Sequence, residues 1–140
     1  MSYEAFFPIV QNTLEGVEAI KAVYPYPIER VEKYPAAIFF PDTLTNQMHD
    51  TNTNEKVTRF KLYIVVGSAQ KTNAQIFNTI LPKAVDAVLA AFDAAWDAGT
   101  IDGHRVRMLV SGGDWSMAPT PEGLEAQAEL TVEFRALTSI

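Results

Sequence analysis

Between Asn73 and Ala98, apolar residues recur at three- and four-residue intervals. Ile76, Phe77, Ile80, Leu81, Ala84, Val85, Val88, Leu89, Phe92 and Trp96 would form one continuous stripe on a helix. Lys83, Asp86, Asp93 and Asp97 fall off the stripe, and the alanines at 87, 90, 91, 94 and 95 add helix propensity without demanding burial. Pro82 has no N–H and clashes with the carbonyl four residues back, so the pattern predicts a strong helix over Leu81 to Asp97 with a weaker lead-in. Gly99 stands where a helix commonly ends. A second, shorter amphipathic helix is predicted over Tyr3 to Gly16, carrying Phe6, Phe7, Ile9, Val10 and Leu14. Ser2 is available as its N-cap, and Pro8 places the start of its regular part near position 8.

Elsewhere the period shortens to two. Val57 to Val66 alternates Phe60, Leu62, Ile64 and Val66 against Arg59, Lys61, Tyr63 and Val65. Val106, Met108 and Val110 alternate with Arg105, Arg107 and Leu109. Near the C-terminus Ala126, Ala128, Leu130, Val132, Phe134 and Ala136 alternate with Glu125, Gln127, Glu129, Thr131, Glu133 and Arg135. Each is a strand with one dry and one wet face. Ala36 to Phe40 is a short apolar run stopped by Pro41, which fits a strand buried on both faces. Ala22-Val23-Tyr24 is a plausible short strand within an arm that runs from Val17 to Tyr34.

Two stretches read as connections. Asp42 to Lys56 is polar, rich in threonine and asparagine, and is expected to be a long exposed loop between two strands. Ser111-Gly112-Gly113-Asp114 breaks the preceding strand, and Trp115 to Gly123, with Pro119 and Pro121, reads as irregular chain. The order is then α-β-β-α-β-β. The expected fold class is α+β: a four-stranded, mostly antiparallel sheet with helices packed on one face, in one domain over residues 1–140. The other face would carry Arg59, Lys61, Arg105, Arg107 and Arg135 among Glu129 and Glu133. Such a face is either a salt-bridged solvated surface or a subunit contact or channel lining.

Composition narrows the function classes. The chain of 140 residues is 48% hydrophobic, enough for one globular core. It holds no run of the length a membrane span needs and no export signal at its start, so no membrane partner is expected. The absence of cysteine excludes disulfides and thiolate metal sites. A formal charge of −6 disfavours binding that depends on neutralising phosphates.

Candidate chemistry is sparse. His49 and His104 have no second imidazole at ligand spacing. Asp50-Thr51-Asn52-Thr53-Asn54 opens like a calcium loop, but Glu55 stands at the glycine position and Lys61 at the glutamate position. Gly112-Gly113-Asp114 could form an anion nest but lacks a phosphate-loop lysine, which leaves a plain turn as the commoner explanation. Asp86, Asp93 and Asp97 have no cleft to tune them apart. No catalytic residue, cofactor or metal is expected, and the chain is not expected to be an enzyme.

The layout as a whole resembles that of the tail terminator proteins of long-tailed bacteriophages. The resemblance rests on the N-terminal amphipathic helix, the Ala22-Val23-Tyr24 segment, the Tyr34-Pro35-Ala36-Ala37-Ile38 entry to a strand and the alternating strand through Thr58-Arg59-Phe60. The apolar helix after it, and a terminal hairpin with glycines and a tryptophan in its connection, complete the pattern. What it implies is a structural virion protein without enzymatic activity. Such a protein is assembled in the host cytoplasm as a homo-oligomeric, six-membered ring on the head-proximal end of the tail. The ring would cap the tail tube protein, stop its polymerisation and meet the head completion or connector proteins. DNA would pass through without specific binding, which suits an acidic chain. Two interfaces are expected. One is the 42–56 loop, with Asp42, Leu44, Asn46, Met48, Asp50, Asn52 and Asn54, against the alternative of a passive loop. The other is Gly112, Gly113, Asp114 and Trp115. A head-to-tail connector or stopper is the nearest alternative, and a small-molecule- or peptide-binding domain is a further one.

Overall fold

The two strands with the longest uninterrupted ladder lie side by side at the centre of the sheet. The computed structural model describes residues 3–28, 30–48, 50–67, 72–120 and 123–139. In it β3 (Thr53–Gly67) and β7 (Gly123–Ser139) pair antiparallel from Thr53↔Ser139 to Gly67↔Glu125 without a register shift. Phe60, Leu62, Ile64 and Val66 of β3 and Ala126 through Ala136 at alternate positions of β7 are all buried, as the alternation requires.

Around this pair the sheet is wider than four strands. It has seven, in the order β1 (Ala22–Tyr24), β2 (Ala36–Met48), β3, β7, β5 (His104–Ser111), β4 (Asp97–Ile101), with β6 (Trp115–Thr120) also paired to β7. All pairings are antiparallel except β1 on β2. The fold is a mixed α+β one, but the expected four-stranded sheet in the order α-β-β-α-β-β is overturned, because the sheet is nearly twice as wide and dominates the fold. Of the three added strands, β1 was expected only within an arm, and β4 and β6 come with the first and third of three corrections to the expected elements.

First, the helix expected to reach Asp97 stops earlier. α1 spans Tyr3–Glu15; a helical turn α2 (Asn73–Gln75) and a π-helical segment (Ile76–Ile80) lead into α3 (Leu81–Ala94), with Pro82 in its first turn. Ala95 (φ −99°, ψ 21°) leaves helical geometry. Asp97 then opens β4, its carboxylate accepting the Gly99 N–H at 2.9 Å, and Gly99 (φ +80°) absorbs a register shift against β5 rather than capping the helix. Asp102 and Gly103, both at positive φ, make the tight β4–β5 turn that type I′ geometry demands. Trp96 therefore leaves the core and is 51% exposed.

Second, Pro41 does not stop β2. A register shift lies between Pro41 and Leu44, and β1 covers only Ala36–Ile38, so the proline sits at a bulge in an edge stretch where a missing N–H is tolerated. β2 then runs to Met48, and the expected long loop is a hairpin whose connection spans only positions 49–52. Third, Trp115–Thr120 is a strand: β6 pairs with β7 from Trp115↔Ala128 to Thr120↔Gly123, and as an edge strand it accommodates Pro119. Pro121 and Ser2 lie outside the described residues.

The helices pack on one face through aromatic contacts. Phe6 of α1 stacks on Phe134 (4.3 Å between centroids), which meets Phe60 edge-on at 5.9 Å. Tyr3 is edge-on to Phe60 at 5.3 Å, and its hydroxyl donates to the Thr43 carbonyl at 2.9 Å. These anchors on the N-terminal side of Pro8 explain why α1 begins at Tyr3 and continues through the proline instead of starting there. Leu81, Ala84, Val85, Val88 and Phe92 bury the α3 stripe on the same core, and Val17 and Ile20 join it, so the start of the expected arm is part of the core.

Candidate functional site

The residues singled out in 42–56 form a projecting ribbon. Beyond the bulge β2 pairs with β3 from Leu44↔Thr58 to Met48↔Asn54, and β3 pairs on its other side with the end of β7. Asp50 builds the turn: its Oδ1 accepts the backbone N–H groups of Asn52 and Thr53, each at 2.8 Å, and its own N–H donates to the Thr53 carbonyl at 3.2 Å. The carboxylate that headed the calcium-like sequence thus serves the turn. Asp42 lies at the base, 3.9 Å from Lys61 Nζ. Tyr3, next to it, has its hydroxyl pKa raised, first by burial and then by the Asp42 charge.

Directly opposed residues of antiparallel strands share a face. Leu44 lies opposite Thr58 and Met48 opposite Asn54, so both point to the helix-bearing side of the ribbon, and they are 60% and 70% exposed. Asn46, opposite Lys56, lies between them. His49 is outside the described residues.

Gly112, Gly113 and Asp114 are a bulge between β5 and β6, which run along the same side of β7. The register is Ser111↔Thr131 before the bulge and Trp115↔Ala128 after it. The Glu129 N–H donates to the Asp114 carbonyl at 2.8 Å, and a Cβ on Gly113 would lie 1.8 Å from the Glu129 carbonyl oxygen. Only glycine fits at 113, for a reason of strand packing, and the expected break is a bulge along β7. Trp115 and Met117, about half exposed, face the helix-bearing side from this edge. The two expected interfaces are not brought together. Through β3, Leu44 is level with Phe134 of β7 and Met48 with Thr138, whereas Trp115 lies opposite Ala128, so the two are roughly 20–33 Å of strand apart at about 3.3 Å per residue.

The outer face of the sheet is ion-paired. Arg59 Nε donates to Glu133 at 2.9 Å and Lys61 to Glu129 at 2.6 Å. Arg135 lies 3.3 Å from Glu133 and 3.6 Å from Glu55, and Arg105 2.7 Å from Asp97. Burial alone would raise the Glu133 pKa, but hydrogen bonds from Arg59 and Arg135 outweigh it and hold the carboxyl below its usual value. The hydrogen bond to Glu129 raises the Lys61 pKa.

A feature the sequence reading missed lies at one corner of this face. Glu55, Gly103, His104, Arg105, Arg107, Arg135, Ala136 and Leu137 line an open hollow of about 560 Å³. The alternation already put the three arginines on one face; the β5–β7 register that opposes Arg107 to Arg135 joins strands distant in sequence and has no local signature. Among the described residues no group of three or more His, Asp or Glu could hold a metal ion, and no helix is long and apolar enough to cross a membrane. Comparison with protein-family models and with curated proteins finds no match for this chain.

Proposed function

We propose that this chain is a structural virion protein of the tail terminator kind, working by self-association into a ring on the end of a tail tube. One observation carries the reading: large apolar side chains stand exposed on the ribbon and on the β6 edge rather than in an enclosed cleft. Leu44 and Met48 of the ribbon and Trp115 and Met117 of β6 are each about half or more exposed. Among the described residues, β2 beyond Ile38, β4 and β6 each present one unpaired backbone edge within the sheet. A sheet left this open favours contact with other chains over binding a small molecule. In the proposed assembly the ribbon, with Leu44 and Met48 as its anchors, reaches the tail tube or head-side partner, and DNA passes without being gripped by an acidic protein.

Deletion of the gene in its phage, followed by microscopy of the lysate, tests the proposal. The expected result is tails of abnormal length without heads, restored by the chain supplied in trans. Tails of normal length that fail only to join heads would point to a connector or stopper instead. Normal infectious particles would overturn both.

A further inference from the structure

One corner of the otherwise ion-paired outer face carries charge that its own subunit does not neutralise. In the β5–β7 register Arg107 lies directly opposite Arg135, an arrangement in which like charges repel. Arg135 is relieved by Glu133 and Glu55, and Arg105 by Asp97. Arg107 has no carboxylate within salt-bridge reach among the described residues. Its guanidinium lies 5.8 Å over the ring of the exposed Trp96, a contact that positions the group without engaging its N–H donors. Ala136 and Leu137 contribute an apolar wall to the same hollow.

The opposite side of the molecule has the complementary problem. Asp86 and Asp93 stand on the exposed side of α3 with Ala90 between them, and neither has a cation within salt-bridge reach among the described residues. Seven helical positions separate the two carboxylates, about 10 Å along the axis. Arg105 and Arg107 are about 7 Å apart along β5, and Arg135 is about 5 Å further across the sheet. The spans agree within the reach of an arginine side chain, and an alanine between two acids allows close approach.

We propose that the arginine-lined hollow receives Asp86 and Asp93 from α3 of a second copy of this chain. The inference rests on the self-assembling reading above and names the contact. Hollow and helix lie on opposite faces of the sheet, so the contact is head-to-tail and can be repeated from copy to copy. Carboxylates of a protein are favoured over nucleic-acid phosphates because a net charge of −6 repels a polyanion.

The test is a charge swap read by sedimentation velocity across a concentration series at low and high salt. The variants are Arg107→Glu, the pair Asp86→Lys with Asp93→Lys, and all three together. All three positions are exposed, and thermal melting checks that each variant folds. Either reversal alone is expected to weaken self-association at least about tenfold at low salt, and the combination to recover most of it. If the chain associates only on tails, occupancy of tail ends by the same variants is scored by microscopy. Reversals without effect, or a combination that recovers nothing, would overturn this contact and leave a ring built through other surfaces standing. A parent chain that never associates, in solution or on tails, would overturn the ring itself.

Discussion

Gly113 shows how much one atom decides at the residue scale. Its neighbour across the ladder is the Glu129 carbonyl, and a methyl group there would overlap that oxygen at 1.8 Å. Gly113→Ala should therefore force the β5–β6 bulge apart and cost about 1–3 kcal/mol, read as a lower midpoint in thermal or denaturant unfolding. Gly112, with nothing near its missing Cβ, should accept alanine with a much smaller loss. The sequence marked both glycines as a break in the strand; it held no sign of which one is obligatory, because that depends on a backbone sixteen positions away. Glu133 gives a second test. Its carboxyl is held below the ordinary value of 4.5 by Arg59 and Arg135. A group with a lowered folded pKa contributes stability that is fully present above its unfolded value and is lost as pH falls through the folded one. Stability should thus decline from about pH 5 downward, and Glu133→Gln should flatten that decline while lowering stability at neutral pH. An unchanged acid limb in the variant would show that the arginines do not favour the ionised form.

At the scale of elements, period and partner diverge. The strands whose alternation is longest, β3 and β7, were legible because one face is dry and the other wet along their whole length. The β2 half of the ribbon was not, because Asp42 to Met48 is exposed on both faces apart from the half-buried Thr45, and a strand in water on both sides has no apolar period to show. Its order comes from pairing: five cross-strand pairs join Leu44–Met48 to Asn54–Thr58. At about 0.2–1 kcal/mol per pair these contribute on the order of 1–5 kcal/mol. Replacing Leu44 through Asn54 with a short glycine-serine link should accordingly lower the melting midpoint, whereas a free loop would be shortened at almost no cost. A midpoint unchanged by the replacement would mean that the ribbon's pairing contributes nothing to folding. Trp96 failed in the opposite sense. It continues the α3 stripe in sequence, but Ala95 turns the chain into β4 and leaves the ring outside, beneath Arg107.

On the scale of the whole molecule, the two long helices α1 and α3 are too few to cover the seven strands of the described residues. The apolar periods of the helices and of β3, β5 and β7 were enough to read which side is dry, since the helix stripes and the buried strand positions must meet. They were not enough to read the width of the sheet. β4 and β6 are short and lie at the edge, and one includes a glycine and the other a proline, the residues that usually mark chain breaks. Those same edge strands carry the consequence. β6 presents Trp115 and Met117 on an unpaired edge without a charged residue between Trp115 and Thr120, and so lacks the lysine with which monomeric proteins commonly protect an edge. If β6 is kept apolar to meet another chain, Met117→Lys should leave the fold intact, since the side chain is already about half exposed on an edge strand, and change stability by less than about 0.5 kcal/mol. Self-association, measured by light scattering over a concentration series, should fall sharply. The effect should persist at high salt, because a lysine placed on an apolar contact acts by desolvation, which salt does not screen. That salt dependence separates this edge from the arginine hollow, whose contact should weaken as ionic strength rises. A Met117→Lys protein that assembles like its parent would leave β6 as a solvated edge, and the contacts between copies would then have to be carried by the ribbon and the hollow.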